Sequence, residues 1–220
     1  MTQSERSAPV QPGDKAPDFS LPAVHQDSVV SLSSYVGRAP LLLAIFRGLY
    51  CPFCRRALAQ FSGASEKLRQ RGIESLAVVA TELENARIYF KLRPSKVAIA
   101  ADPECSMHRA FGLPVPALDA EAVKAAEKIR INPTGELSEP VPLLQAAVAL
   151  DKVQGYHPTA VDQRDSARQM AHGVQLKGQF LLDREGVVRW ANIECANEGL
   201  AGFGKFPSDD ELLGAAGVLS

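Results

Sequence analysis

The sequence predicts an α/β fold in which a mixed central β-sheet is flanked by helices. Residues 38–112 alternate between strand-like apolar runs and segments with helical spacing, which is typical of a parallel α/β core. The run "RAPLLLAIF" is apolar almost throughout, as expected for a strand that is buried on both faces of a sheet. Near the end of the chain, "KGQFLLDREGVVRWANIE" has two β-rich runs around a turn at Gly186, which predicts an antiparallel hairpin.

Length and composition indicate one globular domain. The chain has 220 residues, of which 46% are hydrophobic and 22% charged, so it can bury a core without disulfide bonds. The net charge of −1 gives no general attraction to nucleic acid or to an anionic membrane. We expect residues 1–12 to form a flexible tail and residues 13–220 to form the domain, with an insertion at about 114–176.

The first residues and the four cysteines indicate the cellular compartment. "MTQSERSAPVQPGDK" has no apolar segment of the kind that a signal peptide needs, and "APLLLAIF" is too short to cross a bilayer. The four cysteines are too few and too unevenly spaced for a secreted disulfide framework. The cytoplasm is therefore the expected location.

The elements of the core are predicted in the following order. "APDFSLPAV" and "DSVVSLSSYVG" come first as short strand segments joined by a turn. After the strand in "RAPLLLAIF", a helix begins near Cys51, because apolar residues then recur at helical spacing: Ala57, Leu58, Phe61, Ala64 and Leu68. A strand in "IESLAVVAT", a helix in "ELENARIYFKLR", a strand in "KVAIAAD" and a short helix in "PECSMHRAFG" follow.

The second half of the chain has a weaker pattern before its final elements. Within the insertion, "ALDAEAVKAAEKI", "LLQAAVALDKV" and "DQRDSARQMA" have helical spacing, and we expect this segment to lie over the core. After the hairpin, "PSDDELLGAAGVL" predicts a helix with Ser208 as its N-cap and acidic residues in its first turn.

The segment "FRGLYCPFCRRAL" carries the most specific chemical signal. A buried strand ends near Phe46, and Pro52 occupies the position after Cys51 where proline is favoured, at the start of a helix. Cys51 would then lie at the helix N-cap, where unpaired N–H groups and the helix dipole stabilise a thiolate. Cys54 lies three residues further on, on the same face of the helix and within disulfide reach. Arg47, Arg55 and Arg56 add positive charge around the pair.

The cysteine pair allows three interpretations. Two inert buried cysteines are disfavoured by the proline and the arginines beside them. A zinc site would combine Cys51 and Cys54 with Cys105 and His108, but the two halves are much farther apart than in zinc fingers. Redox chemistry is therefore the favoured interpretation, with Cys51 as nucleophile and Cys54 as resolving thiol.

Several segments resemble those of a known family. "GDKAPDFSLP", the "CP" at the helix start, "ADPECSMHRAFGL" and "FLLDREGVVRWA" occur in the order seen in the AhpC/TSA peroxiredoxin-like family of the thioredoxin superfamily. The resemblance covers about residues 12–113 and 174–215 and implies a thioredoxin-like fold with an N-terminal peroxiredoxin-type extension. The "CPFC" motif is itself similar to the active site of glutaredoxins and thioredoxins.

The resemblance also implies roles for individual residues. Cys51 matches the peroxidatic cysteine of the family, whereas Gly48 and Ala44 occupy the positions of its usual Thr or Ser and its usual Pro. Lys177 matches the active-site arginine of the family, and this change keeps the charge but loses the bidentate geometry.

The expected reaction needs only thiols. The Cys51 thiolate would attack a peroxide or a disulfide, Cys54 would form the disulfide with it, and an external thiol of the thioredoxin or glutathione type would reduce the pair. No metal or organic cofactor is expected, a homodimer is left open, and Cys105 and Cys195 are considered as alternative resolving thiols. A non-catalytic redox sensor or binding module with the same fold is the alternative from another class.

Overall fold

The computed structural model describes residues 8–116, 119–173 and 175–219. Its strands are β1 Ser20–Pro22, β2 Val29–Ser31, β3 Leu41–Phe46, β4 Glu74–Val79, β5 Ala98–Ala101, β6 Arg130–Ile131, β7 Val141–Pro142, β8 Gly178–Leu182 and β9 Val188–Ile193. Its α-helices are α1 Pro52–Arg69, α2 Leu83–Leu92, α3 Ser106–Ala110, α4 Ala120–Glu127, α5 Leu143–Val153, α6 Ala160–Ala171 and α7 Asp209–Ala215.

A mixed five-stranded sheet forms the centre of the fold. Its strand order is β5-β4-β3-β8-β9, in which β3, β4 and β5 are parallel and β8 and β9 are antiparallel to their neighbours. The mixed sheet and the terminal hairpin are therefore confirmed. The β3–α1–β4 connection joins two parallel strands and places the start of α1 at the carboxyl end of β3, which is where the cysteine pair lies.

Each face of the sheet has its own hydrophobic core. All six residues of β3 are buried, and their side chains alternate between the two cores, which explains the apolar run in the sequence. On one face pack the buried sides of α1, α2, α5 and α7. On the other face pack α3 and the N-terminal segment with β1.

The packed part of the chain begins earlier than the predicted end of the tail. Val10 is fully buried in the second core, and its N–H donates to the carbonyl of Phe111 at 3.0 Å. Val10 packs here because an apolar side chain is stabilised by leaving water, and the boundary between tail and domain stays a prediction. Residues 1–7 of the predicted tail lie outside the described residues.

The predicted insertion contains helices α4, α5 and α6, and α5 packs against α1. Thr159 caps α6 by accepting from the N–H of Asp162, so this helix begins slightly before its predicted start. The short antiparallel pair β6–β7 was not predicted. Residues 117, 118 and 174 of the predicted insertion lie outside the described residues, and its boundaries remain a prediction.

Among the described residues, no helix combines the length and the apolar character needed to cross a membrane.

Candidate active site

The cysteine pair begins helix α1 directly after a tight turn. The Cys51 N–H donates to the Gly48 carbonyl at 3.0 Å, and Cys51 is the N-cap residue with an extended backbone (φ −83°, ψ 114°). Pro52 follows at the first helical position, where its missing N–H costs no hydrogen bond. The Cys51 carbonyl accepts from the N–H of Cys54 at 3.0 Å, so one helical turn joins the two cysteines.

The two thiols are buried and hydrogen-bonded to each other. Cys51 is 6% exposed and Cys54 is fully buried, and both are free thiols. Burial acts to raise the pKa of Cys51, but the hydrogen bond from Cys54 and the positive charges of Arg47 and Lys177 lower that pKa to about 5. Burial and the neighbouring Cys51 thiolate raise the pKa of Cys54 well above its ordinary value. The arrangement therefore provides one thiolate and one thiol at neutral pH.

A buried cluster of charges made of Arg47, Glu194 and Lys177 lies beside the thiols. The Arg47 guanidinium donates to the two Glu194 oxygens at 2.5 and 3.2 Å, and Lys177 Nζ lies 3.2 Å from Glu194 Oε1. Lys177 Nζ also donates to the carbonyls of Gly204 and Lys205. The two cations and one anion leave a net positive charge in this cluster, which favours the thiolate form of Cys51.

Besides its two salt bridges, Glu194 takes part in hydrogen bonds with the backbone. Its carboxylate also accepts from the backbone N–H of Lys177 at 3.1 Å and of Gly204 at 2.7 Å. Burial opposes ionisation of Glu194, but Arg47 and Lys177 hold its pKa at about 2. Glu194 is not among the residues that the sequence indicates. The one signal that could have indicated it is a glutamate directly after the half-buried strand β9, and this position alone does not predict a partner such as Arg47.

Arg55 lies at the helix start but does not face the thiols. Its guanidinium donates to the carbonyls of Leu49 and Tyr50 and pairs with Asp151 of α5. It also lies 3.6 Å from the ring centre of Tyr156. The charge of Arg55 is thus used to join the insertion to the active-site turn, which differs from the expectation that it adds to the field at Cys51.

Arg56 likewise lies away from the cysteines. Its side chain is 47% exposed, and its Nε lies 3.9 Å from Glu136. The positive charge near Cys51 therefore comes from Arg47, which was expected, and from Lys177, which the resemblance implied.

Gly48 and Ala44, the two departures from the family pattern, both have structural reasons. A Cβ at Gly48 would lie 2.5 Å from Cε1 of Tyr50 and 2.7 Å from the carbonyl oxygen of Ala80, so no side chain fits there. Ala44 is fully buried at the centre of β3 and pairs with Ala77 and Gln179 of the two neighbouring strands. A proline at this position would remove a ladder hydrogen bond.

The zinc alternative is not supported by the positions of its four residues. No group of three or more His, Cys, Asp or Glu side chains that could hold a metal ion occurs in the part of the chain that the structure describes, which includes Cys51, Cys54, Cys105 and His108. His108 is fully buried, and burial together with Arg47 and Arg109 lowers its pKa to about 3. It is therefore a neutral core residue.

The other two cysteines are poor nucleophiles. Burial and Asp102 raise the pKa of Cys105 to about 12, and burial and Glu194 raise that of Cys195 to about 11. Both have a left-handed backbone, with φ of 53° and 67°. Both are therefore thiols at neutral pH, and their use as alternative resolving thiols stays a prediction.

The fold and the cysteine pair together define a class of protein: a thioredoxin-like α/β domain with a redox-type C-x-x-C motif at the start of a helix. The model of the AhpC/TSA family matches residues 12–191, and the chain belongs to this family. It is accordingly a thiol-based redox protein. No curated protein shows a significant sequence match to the chain.

Solved structures share the fold at low sequence identity. The peroxidoxin BcpB from Mycobacterium tuberculosis has a TM-score of 0.57 at 13% identity, with 96% of each chain covered. A putative thiol:disulfide interchange protein DsbE from Chlorobium tepidum has a TM-score of 0.50 at 19% identity, covering 96% of this chain and 99% of that one. Thioredoxin peroxidase I from Plasmodium yoelii has a TM-score of 0.52 at 16% identity, covering 88% and 84%.

Proposed function

We propose that the protein is a thiol peroxidase in which Cys51 attacks the peroxide and Cys54 resolves the product. The observation that carries this proposal is the pairing of one thiol whose pKa is lowered to about 5 with a neighbouring thiol whose pKa is raised. The first is ionised and nucleophilic at neutral pH, and the second keeps its proton until it is needed.

The reaction balances without a cofactor. The Cys51 thiolate attacks one peroxide oxygen, so an S–O bond forms, the O–O bond breaks, and the other oxygen leaves with the electron pair and takes up a proton. Cys51 is then a sulfenic acid. The Cys54 sulfur attacks it, an S–S bond forms, and water leaves. An external dithiol of the thioredoxin type, or two glutathione-type thiols, reduces the disulfide through a mixed disulfide.

Thiol-disulfide exchange is the second candidate, and the position of Cys54 favours it. The two cysteines share one helical turn, and Cys54 donates a hydrogen bond to Cys51. A mixed disulfide on Cys51 would therefore have a resolving thiol in direct contact. A catalytic disulfide of this kind fits a reducing compartment, so the cytoplasm remains the predicted location, and a homodimer remains open.

Turnover of cysteine variants tests the proposal. Hydrogen peroxide, an organic hydroperoxide and a small disulfide are offered to the wild type, Cys51→Ser, Cys54→Ser and Cys195→Ser with a thioredoxin-type reductant. We expect Cys51→Ser to lose all activity, and Cys54→Ser to accumulate sulfenic acid while its turnover falls at least about tenfold. Cys195→Ser is the control and should stay active. Full activity of Cys51→Ser, or no activity of the wild type with any of the three substrates, contradicts the proposal and favours a binding module.

The pH dependence of Cys51 alkylation gives an independent prediction. Because only the thiolate reacts, the rate of alkylation by iodoacetamide should rise with pH around a midpoint near 5 in the wild type. Arg47→Gln removes a positive charge that favours the thiolate, so its midpoint should move to higher pH. Arg56→Gln, at an exposed position, is the matched control. A wild-type midpoint near the ordinary thiol value of about 8.5 would contradict the proposed ionisation.

A further inference from the structure

Tyr50, the residue before Cys51, has its ring folded back onto Gly48. The turn from Gly48 to Cys51 is closed by the hydrogen bond between their backbones. Cε1 and Cδ1 of the Tyr50 ring lie 2.5 and 2.6 Å from where a Cβ of Gly48 would be. The ring thus occupies the place that a side chain at position 48 would take, and it does so one residue away from the nucleophile.

The Tyr50 hydroxyl is available to a substrate. It makes no hydrogen bond with any residue that the structure describes, whereas the Tyr156 hydroxyl donates to Asp162 at 2.8 Å. Tyr50 is partly exposed and lines a cleft of about 350 Å³. The other lining residues belong to the insertion: Pro158, Asp162, Gln163, Ser166 and Ala167.

Peroxide reduction requires a proton for the oxygen that leaves. When the O–O bond breaks, the leaving oxygen is a hydroxide or alkoxide, and hydroxide is the conjugate base of an acid with a pKa of about 15.7. An O–H or N–H group that donates to this oxygen lowers the barrier. Disulfide exchange has no such requirement, because its leaving thiolate belongs to an acid with a pKa of about 8.5.

The cations that the structure places near the thiols already have partners, and the neutral His108 ring has no exposed atom through which to meet a substrate. Arg47 is bound by Glu194 and by Cys51, and Lys177 by Glu194 and two carbonyls. Arg55 is bound by two carbonyls and by Asp151. His108 is fully buried in the core.

We propose that Tyr50 is a catalytic residue that donates its O–H to the peroxide oxygen that leaves when Cys51 attacks. This proposal rests on the proposed peroxidase function. The Cys51 sulfur gains the other oxygen as the O–O bond breaks, and the leaving oxygen takes the phenolic proton to become water or an alcohol. Tyr50 recovers its proton from water through the open cleft.

The ionisation of Tyr50 agrees with this role. Burial and the negative charge of Cys51 raise its pKa well above the ordinary value. The phenol therefore keeps its proton while Cys51 is a thiolate, and it remains a stronger acid than the alcohol or water that it forms.

The test compares the oxidation of Cys51 by two substrates in single turnovers. Tyr50→Phe keeps the ring against Gly48 and removes only the hydroxyl, and Tyr35→Phe removes a phenol from the other core as the matched control. With hydrogen peroxide, we expect Tyr50→Phe to oxidise Cys51 about 100-fold more slowly than the wild type. With a small disulfide, the rates of the two proteins should agree within about threefold, which also reports that the variant is folded. The alkylation midpoint of Cys51 should stay near that of the wild type.

Three results would overturn the assignment of Tyr50. One is an equal loss with both substrates, which would indicate a structural role in the turn. The second is a peroxide rate of Tyr50→Phe that equals that of the wild type. The third is a wild-type Cys51 that reacts with peroxide no faster than free cysteine does. Failure of the proposed function itself would be seen separately, as retention of both reactions in Cys51→Ser.

Discussion

At the scale of single residues, Glu194 determines how the two cations beside the thiols are held. It is 5% exposed and bonds to Arg47, to Lys177 and to two backbone N–H groups. A buried charge is expensive unless it is paired and fully hydrogen-bonded, and all three members of this cluster satisfy that condition together. Removing the anion would leave two buried cations with the Cys51 thiolate as their anionic partner.

We therefore predict that Glu194→Gln lowers the free energy of unfolding of the reduced protein by about 3–5 kcal/mol. Urea denaturation at pH 7 measures this change. The matched control is Glu198→Gln, which breaks a surface pair with Lys205 in which both side chains are about half exposed. That pair should contribute about 0–1 kcal/mol. Equal losses in the two variants would mean that the buried cluster contributes no more than a surface salt bridge.

The sequence predicts the position of Cys51 but not that of Glu194, and this difference has a physical cause. Cys51 could be placed at the helix N-cap because Pro52 and the preceding apolar strand are local signals. Glu194 and Arg47 are 147 residues apart and meet only through the pairing of β8 with β3 and β9. Gly48 was recognised as a departure, but its cause is the Tyr50 ring and the Ala80 carbonyl, which only packing brings together.

At the scale of elements, too, local periodicity decides what the sequence predicts. The long periodic or apolar segments, such as α1, β3 and β4, were predicted correctly because their burial repeats along the sequence. The β6–β7 pair has only two residues in each strand and therefore gives no periodic signal. The sequence shows that Arg55 follows Cys54, but it does not show that Asp151 of α5 pairs with the Arg55 guanidinium.

The first turn of α1 is held by the insertion through Arg55 and Gln154. Arg55 bridges the carbonyls of Leu49 and Tyr50 to Asp151 and to the Gln154 side chain, and Gln154 donates to the Pro52 carbonyl at 3.4 Å. The forked guanidinium is required for this, since it reaches acceptors in two elements at once. Helix α5 and the cysteine turn should therefore open together.

We predict that Arg55→Lys increases hydrogen exchange in residues 143–156 and at the start of α1 by roughly tenfold or more, because the loss of one hydrogen bond to a charged group costs about 1.5–3 kcal/mol. Exchange of β3 and β4 amides should stay unchanged. Arg56→Lys, one position along the helix and half exposed, is the control. Similar exchange in the two variants would show that Arg55 does not hold α5 against the active-site turn.

At the scale of the whole molecule, the ionisation of Cys51 is linked to global stability. Folding lowers the pKa of this thiol from an ordinary value of about 8.5 to about 5. Between these values the unfolded chain binds one proton more than the folded chain does. The stabilisation by the thiolate is thus fully present above about pH 9 and is lost as the pH falls towards 5.

The reduced wild type should therefore gain stability relative to Cys51→Ser as the pH rises from 6 to 8, by about 1 kcal/mol per pH unit. Urea denaturation of both proteins at pH 6, 7 and 8 with a reductant present measures the difference. Every other titrating group is shared by the two proteins, so its contribution cancels unless it contacts Cys51. A difference that does not change with pH would mean that Cys51 stays protonated in the folded state, and a difference that falls with pH would mean that folding raises its pKa. In either case the thiolate would not be preformed, and attack on a substrate would require that Cys51 first lose its proton at additional cost.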